Sequence, residues 1–308
     1  MKTVLLANMG APVSEHDMKL FLKRMFRDKA IIHAPGPVRF FLAHLISNLR
    51  YKSSWKKYLQ IGGSPLYSAM AATQHALQEV LPPEYNVRCA YSYSTPLIQD
   101  EIAQLYQSGM KDFIVIPMYP QASFSTTGSL KSDLNKAKSR WGDINVNLIN
   151  DYFGNKHFIT FWTKLIQDKI KEKGYSNPYL LFSAHAIPQS FIKRGDMYTE
   201  KMNTSAQLIS EELGLPYSVS YQSKIGKIQW TKPYTMEQLA DLHKQNISEI
   251  IIVPFSFINE NLETKYDLDT EIIPYAINEL GIKDICRIQI PASDSNLVEM
   301  FSKFILRT

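Results

Sequence analysis

The feature that most constrains this chain is a rhythm. Short apolar runs at residues 3–7, 86–91, 113–118, 145–149, 179–183, 217–221, 249–254 and 285–289 read as strands. Several are continuously apolar, as strands buried on both faces must be. Between them lie helical patterns, as in residues 158–171, where Phe158, Phe161, Trp162, Leu165, Ile166 and Ile170 fall on one face. Residues 100–108, 199–213 and 236–244 behave alike. Strand–helix alternation of this kind builds parallel sheets covered by helices, an α/β fold.

Eight strands fit one large sheet or two of four. The same rhythm in both halves favours two Rossmann-like domains, 1–150 and 151–308, each a four-stranded parallel sheet flanked by helices, with the break near Asn150-Asp151-Tyr152-Phe153-Gly154-Asn155. The last helix is open to packing back on the first domain. A chain of 308 residues holds enough apolar material for two such cores. In open α/β sheets ligands bind beyond the carboxyl ends of strands, so a cleft between the domains is the natural site.

Composition narrows the chemistry. The net charge of +5 is spread without a Lys/Arg block, which argues against nucleic acid and suits acidic small molecules or an anionic membrane surface. Two cysteines, Cys89 and Cys286, lie far apart with no CxxC, too few for a disulfide framework, a zinc knuckle or an iron–sulfur cluster. A reducing compartment follows, and the cytoplasm is the expected location, with peripheral contact on the inner face of the membrane left open. No window reaches the length of a membrane span.

Two strand ends carry the chemistry. The turn Ser183-Ala184-His185-Ala186-Ile187-Pro188 places a histidine among small residues where a buried strand emerges. A lone histidine there is more often structural than catalytic. Its small neighbours leave the imidazole accessible, and its ordinary pKa suits proton transfer or metal binding near neutrality. The second strand end opens into Asn259-Glu260-Asn261-Leu262-Glu263, after which Glu263, Asp267 and Glu271 recur at intervals of four. On an α-helix these form one carboxylate stripe. Such charges usually make a solvated face, but like charges so placed repel, and oxygen ligands in a line suit divalent cations, Fe2+ in transit included. No HExxH motif is present, which disfavours a resident zinc.

Four other segments stand out. Ile61-Gly62-Gly63-Ser64-Pro65-Leu66-Tyr67 is a glycine turn that lets backbone approach a ligand. The hydroxyl-rich run from Tyr119 to Ser129, Ser125 within it, reads as a helix N-cap or as the polar rim of a site. Trp230, on a glycine-containing loop after a strand, suits stacking on a flat ligand. Residues 33–58 break the rhythm, with Pro35 and Pro37, an apolar set at Phe40, Phe41, Leu45 and Ile46, and a basic set at Arg50, Lys52, Lys56 and Lys57. This helical insertion is expected to be a lid with an apolar edge turned to a ligand or to lipid, packed core being the alternative.

Taken together, Leu6-Ala7-Asn8-Met9-Gly10-Ala11-Pro12, Gly62-Gly63-Ser64-Pro65, Tyr119-Pro120-Gln121 with Ser125-Thr126-Thr127-Gly128, Ser183-Ala184-His185, Tyr221-Gln222-Ser223-Lys224 and Leu262-Glu263-Thr264 resemble the ferrochelatases over nearly the whole chain. The resemblance implies a chelatase fold and insertion of Fe2+ into protoporphyrin IX to give protohaem, the terminal step of haem biosynthesis. Porphyrin and ferrous iron are then substrates, and no cofactor is permanently bound. It puts the family's metal-binding histidine and glutamate on His185 and Glu263, and we expect both to be catalytic. Asp267 and Glu271 are expected to relay metal or protons, and Tyr58, Ser64, Tyr119, Ser125 and Trp230 to bind the porphyrin. Asn261 stands where many members have histidine, Tyr93-Ser94-Thr95-Pro96 where some have a histidine before proline, and Asp267 where several have glutamate. Two other readings remain open at this level: a chelatase acting on coproporphyrin or sirohydrochlorin, and a non-catalytic tetrapyrrole-binding protein on the same fold.

Overall fold

The computed structural model describes residues 2–226 and 228–307. The chain divides into two compact units, one running to Asp151 and resuming at Ala292, the other Tyr152–Pro291. Along the first unit run β1 (Lys2–Asn8), α1 (Glu15–Arg27), α2 (Gly36–Gln60), α3 (Leu66–Val80), β2 (Tyr85–Tyr91), α4 (Ile98–Gln107), β3 (Asp112–Pro117), α5 (Thr127–Arg140) and β4 (Asn145–Leu148). The second holds α6 (Lys156–Lys173), β5 (Tyr179–His185), α7 (Gln189–Ile192), α8 (Tyr198–Leu213), β6 (Tyr217–Gln222), α9 (Thr235–Lys244), β7 (Glu249–Val253), a π-helix (Glu263–Ile272), α10 (Ile273–Asn278) and β8 (Asp284–Arg287). The chain then returns to the first unit, where α11 (Ser295–Leu306) packs on α3 and Thr73 Oγ1 donates to the Ala292 carbonyl at 3.2 Å. The second unit therefore stops at Pro291 instead of running to the end of the chain.

Each unit is built on a wholly parallel sheet, four strands among the described residues, in the order β2-β1-β3-β4 and β6-β5-β7-β8. The repeated order explains the repeated sequence rhythm. The inner strands are buried on both faces, which is why Val4-Leu5-Leu6, Phe113-Ile114-Val115 and Ile250-Ile251-Ile252 are continuously apolar. In the first unit Leu5, Phe113 and Val115 pack with Ile102 and Leu105 of α4 and Leu130 and Leu134 of α5. In the second, Leu181, Ile250 and Ile252 pack with Leu239 and Leu242 of α9 and with Leu268 and Ile272 of the π-helix. Strand order in each sheet reverses between its two central strands, which leaves a crevice beyond their carboxyl ends.

Residues 33–58 resolve into α2, which lies along α1. Its inner face is small, with Ala43 and Ser47 buried, so the two helices approach closely. The large apolar residues face outward, Phe40 at 50%, Phe41 at 65% and Leu45 at 44% exposure, and Ile46 is half-buried. The packed-core reading of Phe40, Phe41 and Leu45 is thereby corrected: the small residues supply the contact. Among the described residues no helix is long and apolar enough to cross a membrane.

Candidate active site

In the second unit the strand order reverses between β5 and β7, and His185, Trp230, Glu263, Asp267 and Glu271 all belong to this unit. His185 is the last residue of β5. Its backbone N–H donates to Ser256 Oγ, beyond β7, at 3.3 Å. Its carbonyl accepts from the Tyr198 hydroxyl at 3.0 Å. Burial, with Tyr221 as the next cause, holds the Tyr198 phenol well above its ordinary pKa, so the group remains a donor. His185 Nδ1 lies 2.7 Å from the Ala186 carbonyl. A carbonyl only accepts, so Nδ1 carries the hydrogen, and the neutral ring keeps its lone pair on Nε2.

Below His185 the same face of the sheet is polar. Ser183, fully buried, donates to Gln222 Oε1 at 2.7 Å and lies 3.0 Å from Thr235 Oγ1, and Gln222 stands in register with His185 on β6. Trp230 sits beside the His185 turn. It pairs with Pro188, its flanking residues bond to Gln189 and Ile187, and its indole N–H donates to the Ile225 carbonyl at 3.0 Å.

Beyond β7 the chain turns into the π-helix. Asn261 and Thr264 cap each other: the Thr264 N–H donates to Asn261 Oδ1 and the Asn261 N–H to Thr264 Oγ1, both at 3.0 Å. Asn261 thus works as a helix cap at the position where the resemblance leads one to look for histidine. Under this turn lies Glu260, buried, with Oε1 accepting from Arg287 Nη1 at 2.8 Å and from the Ile290 N–H at 2.7 Å. Its Oε2 accepts from the Thr264 hydroxyl. Arg287, also buried, forks onto Asp269 with Nε–Oδ1 2.7 Å and Nη2–Oδ2 2.8 Å. These partners raise the guanidinium pKa against the opposing pull of burial, which is the largest single cause.

The acidic line differs from the α-helical stripe expected. The segment is π-wound, with the Ile273 N–H reaching the Leu268 carbonyl five residues back. Thr264, Leu268 and Ile272 are buried, and each is preceded by one of the acids. Glu263 and Asp267 are accordingly half-buried, and Glu271, at the far end, is exposed. Asp267 Oδ2 accepts from the Ser223 hydroxyl, one residue past the partner of His185. Among the described residues no three His, Cys, Asp or Glu side chains gather as a metal cage.

The remaining candidates belong to the first unit. Tyr119 follows β3, and its hydroxyl lies 3.5 Å from Asn8 Oδ1 at the end of β1, so it marks that unit's own crevice. Ser125 Oγ is 3.2 Å from Ser123 Oγ, and Thr126, not Ser125, is the residue that precedes α5. Ser64 Oγ accepts from the Leu66 N–H at 3.3 Å, after Gly62 and Gly63, whose φ of 75° and 100° only glycine adopts without strain. Tyr58 is buried on the inner side of α2, stacked near Trp55. Gly10 is required sterically, since a Cβ there would meet Ser94 Oγ at 1.8 Å. Among the described residues, a surface depression of about 850 Å3 along α5 and another of about 340 Å3 beside Tyr67, Cys89 and Tyr91 are not lined by Tyr58, Ser64, Tyr119 or Ser125.

Sequence reasoning missed Ser223, Arg287 and Asp269 as parts of the site. The spacing of four in Thr264, Leu268 and Ile272 gave no signal of the winding, since it drifts about 40° per step on an α-helix and about 33° the other way on a π-helix.

Known proteins share this arrangement. The SirB structure from Bacillus subtilis with Fe3+ superposes with a TM-score of 0.59 at 12% identity, covering 100% of this chain and 95% of that one, a likeness of fold. A ferrochelatase from Sulfurihydrogenibium sp. (strain YO3AOP1) is 32% identical over 99% of this chain and 97% of its own length. One from Rickettsia bellii (strain OSU 85-389) is 37% identical over 87% of this chain and 76% of its own. The ferrochelatase family model matches residues 1–308. With two parallel four-stranded units of the chelatase fold and relatives at this level of identity across its length, the chain belongs to the ferrochelatase family and is a metal chelatase, a lyase.

Proposed function

We propose that the chain inserts Fe2+ into protoporphyrin IX to give protohaem, with His185 as the base and Glu263 facing it as the metal-side carboxylate. Insertion forms iron–nitrogen bonds and releases two pyrrole protons. A flat macrocycle holds its nitrogen lone pairs in plane, so contacts on its rim must distort it before the metal approaches. The observation that carries the reading is the bond from His185 Nδ1–H to the Ala186 carbonyl, which leaves the lone pair on Nε2 of a residue at the carboxyl end of β5. That atom takes a pyrrole proton without first losing one of its own.

Glu263, at the head of the π-helix, is the half-buried carboxylate nearest the cap, and Asp267 and Glu271 carry metal inward or protons outward along the same helix. Fe2+ is a substrate here and no resident cofactor is needed. In this reading Trp230, which bridges to Pro188 of the His185 turn, stacks on the ring, and Tyr58, Ser64, Tyr119 and Ser125 bind the porphyrin. The exposed lip of α2 suits a substrate that partitions into lipid. Phe40, Phe41 and Leu45 meet the acyl boundary while Arg50, Lys52, Lys56 and Lys57 meet anionic headgroups, worth about 1 kcal/mol each. This gives a cytoplasmic enzyme with peripheral contact at the membrane.

The test is anaerobic incubation with protoporphyrin IX, coproporphyrin or sirohydrochlorin and Fe2+, following the loss of free-ligand fluorescence. Faster turnover of either competitor than of protoporphyrin would move the substrate assignment.

A further inference from the structure

Thr264 and Asp269 are five residues apart and are bound by one buried ion pair. Thr264 donates to Glu260, and Asp269 takes the Arg287 fork, while Arg287 and Glu260 hold each other at 2.8 Å. The Arg287 side chain is 2% exposed and that of Glu260 10%, so the pair is a fixed anchor. On an α-helix, residues five apart point about 140° away from each other. On a π-helix of roughly 4.4 residues per turn they point within about 50°. Only the wider winding turns Thr264 and Asp269 toward the same anchor.

The winding matters to the acids. Between Glu263 and Glu271 an α-helix turns the side chain about 80° one way. The π-helix turns it roughly 65° the other way. The two windings therefore aim the line of carboxylates differently, although each keeps a spacing of four. The Ser223–Asp267 bond pins the middle of the line in the π arrangement.

We infer that Arg287, with Glu260 and Asp269, is a positioning clamp that holds residues 263–272 in the π winding and thereby aims Glu263 and Asp267 at the metal. The inference rests on the proposed Fe2+ insertion for its consequence and on the hydrogen bonds alone for its mechanism. Arg287 touches no reacting atom in this account and acts through the helix.

The test uses the full-length chain and three variants. Asp269→Asn removes the charge from the more exposed partner, Arg287→Lys keeps the charge and loses the fork, and Asp269→Glu keeps the carboxylate on a side chain one methylene longer. Asp269→Asn is expected to speed amide exchange over residues 263–272 about tenfold. It should raise the apparent KM for Fe2+ about tenfold while porphyrin affinity, read by fluorescence titration, stays within about twofold. Asp269→Glu should restore both. Arg287→Lys should follow Asp269→Asn; if it fails to fold, Asp269→Asn carries the decision. Parent-like exchange in Asp269→Asn would overturn the clamp. Faster exchange with an unchanged KM for Fe2+ would reduce it to a structural brace and overturn the positioning role. Should the unaltered chain insert no Fe2+, the functional reading falls, and the exchange comparison alone upholds or overturns the clamp.

Discussion

Ser223 donates its hydroxyl hydrogen bond to Asp267, joining the end of β6 to the middle of the π-helix across forty-four positions of sequence. Ser223 follows Gln222, the register partner of His185, so the bond ties the histidine's side of the crevice to the acidic line. Ser223 also holds a φ of 66°, a left-handed conformation that burdens any residue with a Cβ. Ser223→Gly removes the donor and relieves the backbone, two effects that offset to within about 1 kcal/mol. We expect the melting temperature to stay near that of the parent while Fe2+ insertion slows several-fold at low metal. Parent-like insertion kinetics would show that Asp267 needs no donor.

The cap of the π-helix depends on Thr264. Thr264→Val keeps the shape, breaks the bond to Asn261 and leaves Glu260 Oε2 buried without that donor. Loss of a cap and of a charge-assisted bond together cost about 2–4 kcal/mol. Chemical denaturation should show that loss, and a change below about 0.5 kcal/mol would contradict the cap.

The α2 lip is testable by stability and binding together. Phe41 is exposed, and Phe40 lies 4.2 Å from His44 at a tilt of 45° and under the Arg27 guanidinium at 4.9 Å. Replacing both by serine should cost no more than about 1 kcal/mol. The same variant should raise the porphyrin KM and weaken binding to anionic liposomes. A sharp fall in melting temperature would return these residues to the core.

Cys89 gives an alkaline signature. Burial, reinforced by Glu101, pushes its thiol from 9.0 up to about 12. A raised pKa means the folded state holds the proton more tightly. The stabilisation is full below pH 9 and is lost as pH rises toward 12. Cys89→Ala should flatten this alkaline limb in melting curves taken across that range, and the native thiol should react slowly with iodoacetamide at pH 8.5. Rapid alkylation would contradict the shift.

The sequence revealed the sheet architecture because buried parallel strands must be apolar throughout, and all eight runs became strands within about two residues. It pointed to His185 and Glu263 as candidates because both follow such runs. The winding after β7 was hidden, since acids at intervals of four suit an α-helix and a π-helix alike. Arg287 was hidden because its partners lie 18 and 27 positions away and its own strand is four residues long. The face of α2 was misjudged in one of its two readings because large apolar residues there point outward, and only the small size of Ala43 and Ser47 marks the packed side.

The most direct test of the account is the rate of Fe2+ insertion by His185→Ala, followed anaerobically as the loss of protoporphyrin fluorescence. His185 is half-buried at a strand end, and its ring bonds only to a neighbouring carbonyl among the bonds described, so the variant should fold and bind porphyrin within a few-fold of the parent. Removal of a general base lowers turnover about a hundredfold to ten-thousandfold. A loss of that size with porphyrin affinity retained is the predicted result; insertion within a few-fold of the parent rate would contradict the account.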